Sequence, residues 1–74
     1  MLLEDYRTLN NMSYKELATF LGLKSPTSAM RYCIGTRYPK LNILIRIQDK
    51  TKQAVTANDF VAKYRELHEQ EVQP

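Results

Sequence analysis

Cysteine and histidine occur once each in these 74 residues, glycine twice, proline three times and tryptophan not at all. A lone cysteine, Cys33, closes no internal disulfide and builds no metal cage, which excludes a stapled secreted scaffold and points to a reducing, cytoplasmic compartment. Two glycines are too few for a turn-rich all-β fold, and 43% hydrophobic residues are too many for a disordered chain. No apolar run approaches the roughly 20 residues that span a bilayer. The opening MLLEDYRTLNN is acidic and lacks the basic flank and apolar core of a signal peptide. With one histidine, one cysteine and no clustered carboxylates, no acid–base or metal constellation can be assembled. No enzyme, metal, cofactor or small-molecule ligand is therefore expected. His68, among Glu66, Glu69 and Glu71, reads as solvated and inert, and Cys33, between Tyr32 and Ile34, reads as core.

What remains is one small all-α domain spanning residues 1–74. A chain of this size buries only about 60% of its unfolded surface, a thin margin that favours association with a partner. Its formal net charge is +3, but the distribution says more than the sum. Between Glu16 and Asp49 there is no acid, while Lys24, Arg31, Arg37, Lys40 and Arg46 are basic.

Five helices are expected. Leu2, Tyr6 and Leu9 stand at helical spacing, with Leu3 beside them and Asn10-Asn11 as a stop. Ser13-Tyr14-Lys15-Glu16 is a capping box that starts a second helix at Tyr14, with Leu17, Ala18 and Leu21 as its buried stripe and Gly22 closing it. Ser25-Pro26 restarts a helix that runs to about Ile34 and ends on Gly35. From Leu41 onward, Leu41, Leu44, Ile45 and Gln48 share one side with Ile43 and Ile47 next to it, so the fourth helix reads as well buried and central, ending at polar KTKQ. Thr56-Ala57-Asn58-Asp59 repeats the capping pattern, and Phe60, Val61, Tyr64 and Leu67 form a stripe on a fifth helix that fades into HEQEVQP.

Two short helices joined by a tight glycine-containing turn make a helix-turn-helix unit, in which the second helix lies in the DNA major groove. Ala18, four residues before Gly22, lets the two helices cross closely, and Leu17, Leu21 and Leu23 anchor them from beneath. Through YKELATFLGL, the GTRYPKL loop leading into an apolar helix, and VTANDF, nearly the whole chain resembles the lambda-repressor-like family of phage Cro and repressor domains. The resemblance implies a compact five-helix bundle that binds operator DNA as a dimer. The Gly22-to-Gly35 interval is one residue longer than in a typical member, with the excess around Lys24-Ser25-Pro26. An excisionase-like or MerR-like reading, suggested by SYKELATFLGL and MRY, needs a β-wing where LNILIRIQ reads as a helix.

On the third helix, Ala29, Tyr32 and Cys33 are assigned to the core, and Thr27, Ser28, Met30, Arg31 and Ile34 face outward. Arg31 is the foremost base reader, because a guanidinium can bond guanine O6 and N7 together; Thr27 and Ser28 offer short hydroxyls for bases or phosphates. Met30 and Ile34 could meet a thymine methyl, the loop or the core. Tyr14, Lys15, Lys24 and Ser25, at the N-termini of the second and third helices, are candidates for phosphate contact, as are Arg37, Tyr38, Lys40 and Asn42 in the following loop. Basic residues commonly form no more than a solvated face, but here the acid-free stretch coincides with the recognition helix and its flanking loop. Phe60 closes the core, whereas Tyr64 and Leu67 either extend it or form a symmetric dimer contact. The expected partners are double-stranded DNA and a second copy of the chain. The main rival is a module of the same fold used to bind another protein, as an antitoxin or phage regulatory factor would.

Overall fold

In the computed structural model, which describes residues 1–68, the chain forms five helices and, among those residues, no strand. α1 is Leu3–Leu9, α2 Tyr14–Leu21, α3 Pro26–Ile34, α4 Leu41–Lys50 and α5 Ala57–His68. The His68 side chain and residues 69–74 lie outside the described residues, and with them the readings of His68 as solvated and of a helix fading into HEQEVQP.

Local chemistry sets the boundaries. Ser13 Oγ accepts the Glu16 N–H at 3.0 Å while the Glu16 carboxylate accepts the Ser13 N–H at 2.8 Å, closing the capping box of α2. Ser25 Oγ accepts the Ser28 N–H at 3.3 Å and Pro26 opens α3, where its missing N–H costs nothing. Gly22 and Gly35, at φ +70° and +87°, end α2 and α3 in the left-handed conformation that side chains resist. At the start of α5, Asp59 Oδ2 accepts the Thr56 N–H at 2.8 Å and its hydroxyl at 3.2 Å.

The core is built around α2, which packs against both α3 and α4, while α1 packs on α3. Leu17, Ala18 and Leu21 meet Ala29, Tyr32 and Cys33 of α3 and Leu44 and Ile47 of α4, with Leu3, Val55 and Phe60 completing one apolar cluster. Fully burying a leucine, isoleucine, valine or phenylalanine of this cluster stabilises the fold by about 1.5–3 kcal/mol.

Three expectations from the sequence are corrected. α4 is not buried all round: Leu44 and Ile47 are in the core, but Leu41 and Ile45 are 72% and 53% exposed. The helix meets α2 along one arc, and the side carrying Leu41 and Ile45 faces solvent. Leu9, 71% exposed, drops out of the α1 stripe, which Leu3 anchors instead. Thr51, read as part of a polar helix end, is buried; its hydroxyl donates to Ile47 O at 2.7 Å and accepts the Val55 N–H at 3.2 Å. That pair of bonds pins the turn between α4 and α5, where Lys52 and Gln53 adopt φ of +53° and +70°.

Arg7 ties α1 to the start of α2. Its Nε and Nη2 donate to the two Glu4 carboxylate oxygens at 2.9 and 2.6 Å, its Nη1 donates to Met12 O at 2.8 Å, and the guanidinium lies 4.3 Å from the centre of the Tyr14 ring. The Arg7 hydrogen bond holds the Glu4 carboxyl below its ordinary value of 4.5, against the opposing effect of partial burial. Glu16 is lowered by the Ser13 N–H. Burial works against ionisation of Asp59, but the Thr56 hydrogen bonds and the Met1 ammonium outweigh it and lower its pKa as well. A carboxyl depressed by folding adds stability above its unfolded pKa and loses it as pH falls through the folded one. The midpoint of urea unfolding should therefore drop as pH is lowered from about 5 to 3. Glu4→Gln should cost about 0.2–1 kcal/mol at pH 7, the range for a solvent-screened pair, and flatten that acid limb. Equal acid slopes in the two proteins would show that the Arg7–Glu4 pair has no share in stability.

Candidate nucleic-acid interface

α3 presents two differently placed sets of side chains. Thr27, Arg31 and Ile34 are exposed at helical spacing, whereas Ala29, Tyr32 and Cys33 are buried as the pattern of the helix predicts. Met30 and Ser28 are half-buried between them. Of the three base-contact candidates, Thr27 and Arg31 thus share the outer stripe. Ser28 turns to the side of the helix, with its hydroxyl 3.3 Å from that of Ser25.

Beside α3 lies an open groove of about 540 Å³ between the Gly22–Ser25 turn, the loop after α3 and the first turns of α4. Lys24, Arg37, Lys40 and Arg46 line it together with Ser28, Asn42 and the edge of Tyr32, and no acidic residue lines it among the described residues. Five of the sequence candidates, Lys24, Ser28, Arg37, Lys40 and Asn42, are therefore brought to one place from four segments of the chain. No carboxylate among the described residues pairs with the four cations, because the ion pairs there are Met1–Asp59, Arg7–Glu4 and Lys63–Glu66. Cationic side chains crowded around a concave surface reinforce one another's field and attract anions. α4 starts on the same groove, and its N-cap residue, Lys40, offers no side-chain acceptor to the first-turn N–H groups. Those donors add a fixed partial positive charge.

Arg46 was not singled out as a contact residue from sequence. It stands four residues after Asn42, so helical spacing places both on one face of α4, and that spacing was the available signal. What spacing could not reveal is its second contact. Arg46 Nη1 donates to Gly22 O at 3.0 Å and to Leu21 O at 3.5 Å, linking α4 to the C-terminal end of α2. A cation at that end is favoured by the helix dipole.

The remaining candidates sit elsewhere. Tyr14 and Lys15 are at the opposite end of α2, about 12 Å from the turn at 1.5 Å per residue. Lys15 is exposed, but the Tyr14 ring is engaged with Arg7 and its hydroxyl lies 3.4 Å from Glu4. The Ser25 hydroxyl is occupied in capping α3. Tyr38 packs edge-on against Phe60 and Tyr64, with ring centres 6.3 and 6.2 Å apart. Leu67 lies so close over Gly35 that a methyl group there would overlap it. Ile34, Tyr38, Tyr64 and Leu67 are all exposed, and these contacts join α5 to the end of α3 and the loop that follows.

Comparison with protein-family models, curated proteins and solved structures finds no match to this chain.

Cys33 is free and buried. Burial pushes its thiol up to about 12, and the nearby Glu4 carboxylate adds to the shift. At pH 8 the thiolate, the reactive form, is scarce. A disulfide reagent should label the native protein far more slowly than it labels the protein in denaturant. Equally fast labelling in the two conditions would place the thiol at the surface.

Proposed function

We propose that this protein is a sequence-specific double-stranded DNA-binding regulator of the Cro and repressor type, in which α2, the Gly22–Ser25 turn and α3 act as a helix-turn-helix. It binds a palindromic operator as a homodimer and regulates transcription by occupying that site. The observation that carries this reading is the gathering of Lys24, Arg37, Lys40 and Arg46 in one acid-free groove directly beside the exposed Thr27 and Arg31 stripe of α3. That is the charge layout a reading helix needs: base-facing side chains on its outer stripe and backbone-facing cations at its flank.

In this reading α3 enters the major groove, Arg31 pairs with a guanine edge, and Thr27 contacts a base or phosphate near the helix N-terminus. Two copies related by a two-fold axis place their α3 helices about 34 Å apart, one turn of the duplex. The exposed Ile34, Tyr38, Tyr64 and Leu67 surface supports the dimer contact. The same surface also suits a different protein, which keeps the interaction-module reading as the alternative.

Selection from a randomised duplex library at about 150 mM salt tests the proposal, since purely electrostatic association is already weakened there. A palindrome with half-sites about 10 base pairs between centres is expected. Folded protein that enriches no motif would shift the reading to the interaction module. On the selected site, Arg31→Ala should relax preference at one position per half-site by about 1–3 kcal/mol. Arg37→Ala and Lys40→Ala should instead weaken all sequences alike, and each should make the slope of log affinity against log salt shallower by about 0.9 for every phosphate no longer neutralised. A uniform loss on Arg31→Ala would reassign that residue to a phosphate, and unchanged slopes would remove Arg37 and Lys40 from the interface.

A further inference from the structure

We infer that the groove beside α3 is a seat for one phosphate oxyanion, and that Arg46 is the positioning residue that fixes this phosphate relative to α3. The inference rests on the DNA-binding reading in taking a backbone phosphodiester as the natural occupant. A free phosphorylated small molecule presents the same oxyanion.

An arginine guanidinium carries five N–H donors in a rigid plane and stays charged. In Arg46, Nη1 is committed to the carbonyls of Gly22 and Leu21, which holds the plane in place and leaves Nε and Nη2 as a fork of the kind that pairs bidentately with phosphate. The side chain is half-buried, and no carboxylate among the described residues neutralises it. A fixed, uncompensated cation is prepared for an anion, because the entropy of ordering its long side chain is lost on folding and not on binding. The other parts of the seat come from independent elements. Lys24 stands on the turn, Arg37 and Lys40 on the loop, and Ser28 on α3, while α4 begins on the groove without a side-chain cap. The volume of about 540 Å³ falls within the roughly 300–1,000 Å³ usual for small-molecule sites, which leaves room for the groups flanking a phosphate.

Gly22 is where the two parts meet. Its left-handed backbone, at φ +70°, makes the turn, and its carbonyl accepts Arg46 Nη1 at 3.0 Å. The turn that orients α3 and the arm that holds the phosphate therefore touch at one residue. A phosphate bound by Arg46 is thereby placed in register with the start of α3.

Two measurements on the full chain test this. The first is the salt dependence of binding to the selected duplex, or to a random-sequence duplex if none is selected, for the wild type, Arg46→Gln and Arg46→Lys, with urea unfolding to check each fold. Arg46→Gln should bind about tenfold more weakly at 50 mM salt and show a slope shallower by about 0.9, whereas Arg46→Lys should recover the slope. A loss of stability with an unchanged slope would reduce Arg46 to a cap on α2 and overturn the inference. The second is an NMR titration of the wild type with inorganic phosphate, which is independent of any variant folding. Shifts confined to the amides of residues 22–24 and 41–43, and competed by duplex, are expected. If the wild type binds no duplex, the DNA-binding reading fails separately. Phosphate shifts at those amides would then support the seat with a small phosphorylated ligand as its source, and their absence would overturn the seat as well.

Discussion

The left-handed backbone of Gly22 is the constraint on which the rest of the fold depends. Helix α2 is only eight residues long, yet its Leu17, Ala18 and Leu21 are all buried, and the helix packs on both α3 and α4. An isolated helix of that length is marginal in water, so α2 exists because it is packed, and it can pack on α3 only if the chain reverses sharply after Leu21. Gly22 makes that reversal at φ +70°, where a residue with a Cβ would lose about 1–2 kcal/mol. Its amide bonds back into α2, and its carbonyl receives Arg46 from α4. One residue thus joins the three helices that carry the core.

The same turn is where stability and charge meet. Four cations gather around the groove without a carboxylate to offset them among the described residues, an arrangement that is repulsive in the absence of a partner. Solvent screening keeps the cost small, because Lys24, Arg37 and Lys40 are exposed and lie within reach of counterions. The other half of the molecule is treated differently. Around α1, the charge of Arg7 is met by a bidentate carboxylate, a carbonyl and an aromatic face. Arg7 is neutralised by a carboxylate where it ties α1 to α2, whereas Arg46, which ties α4 to α2 through carbonyls alone, keeps its charge uncompensated beside the groove.

Much of the fold was legible from short-range chemistry. Ser13 with Glu16, Ser25 with Pro26, and Gly22 and Gly35 mark helix ends through contacts within a few residues of one another, so α2 and α3 begin and end where the sequence places them. The core side of α3, Ala29, Tyr32 and Cys33, was placed by counting back from Gly35 along the family resemblance, and the three are buried. α4 shows the limit of that logic. Its apolar residues go most of the way round the helix, and periodicity does not say which arc a neighbour will cover, so Leu41 and Ile45 were read as core although they face solvent. Thr51 fails for a related reason: a threonine at a helix end is ordinarily solvated, and only the return of the chain at Val55 buries it and supplies its partner.

The candidate site divides along the same line. The sequence by itself determined the helix limits and the acid-free run of basic residues from Lys24 to Arg46, because each depends on residue type and on spacing along one helix or loop, whereas of the five α3 residues read as outward the structure leaves Thr27, Arg31 and Ile34 exposed and half-buries Ser28 and Met30. Only the tertiary structure decided which of those cations share a groove. It brought Lys24, Arg37, Lys40 and Asn42 together, left Tyr14 and Lys15 at the far end of α2, turned Tyr38 toward Phe60, and set Arg46 against the carbonyls of Leu21 and Gly22. The physical reason is distance along the chain. Arg46 and Gly22 lie 24 residues apart, and no local rule of capping or periodicity reaches that far. Their meeting is fixed by how α2, α3 and α4 bury one another's apolar faces.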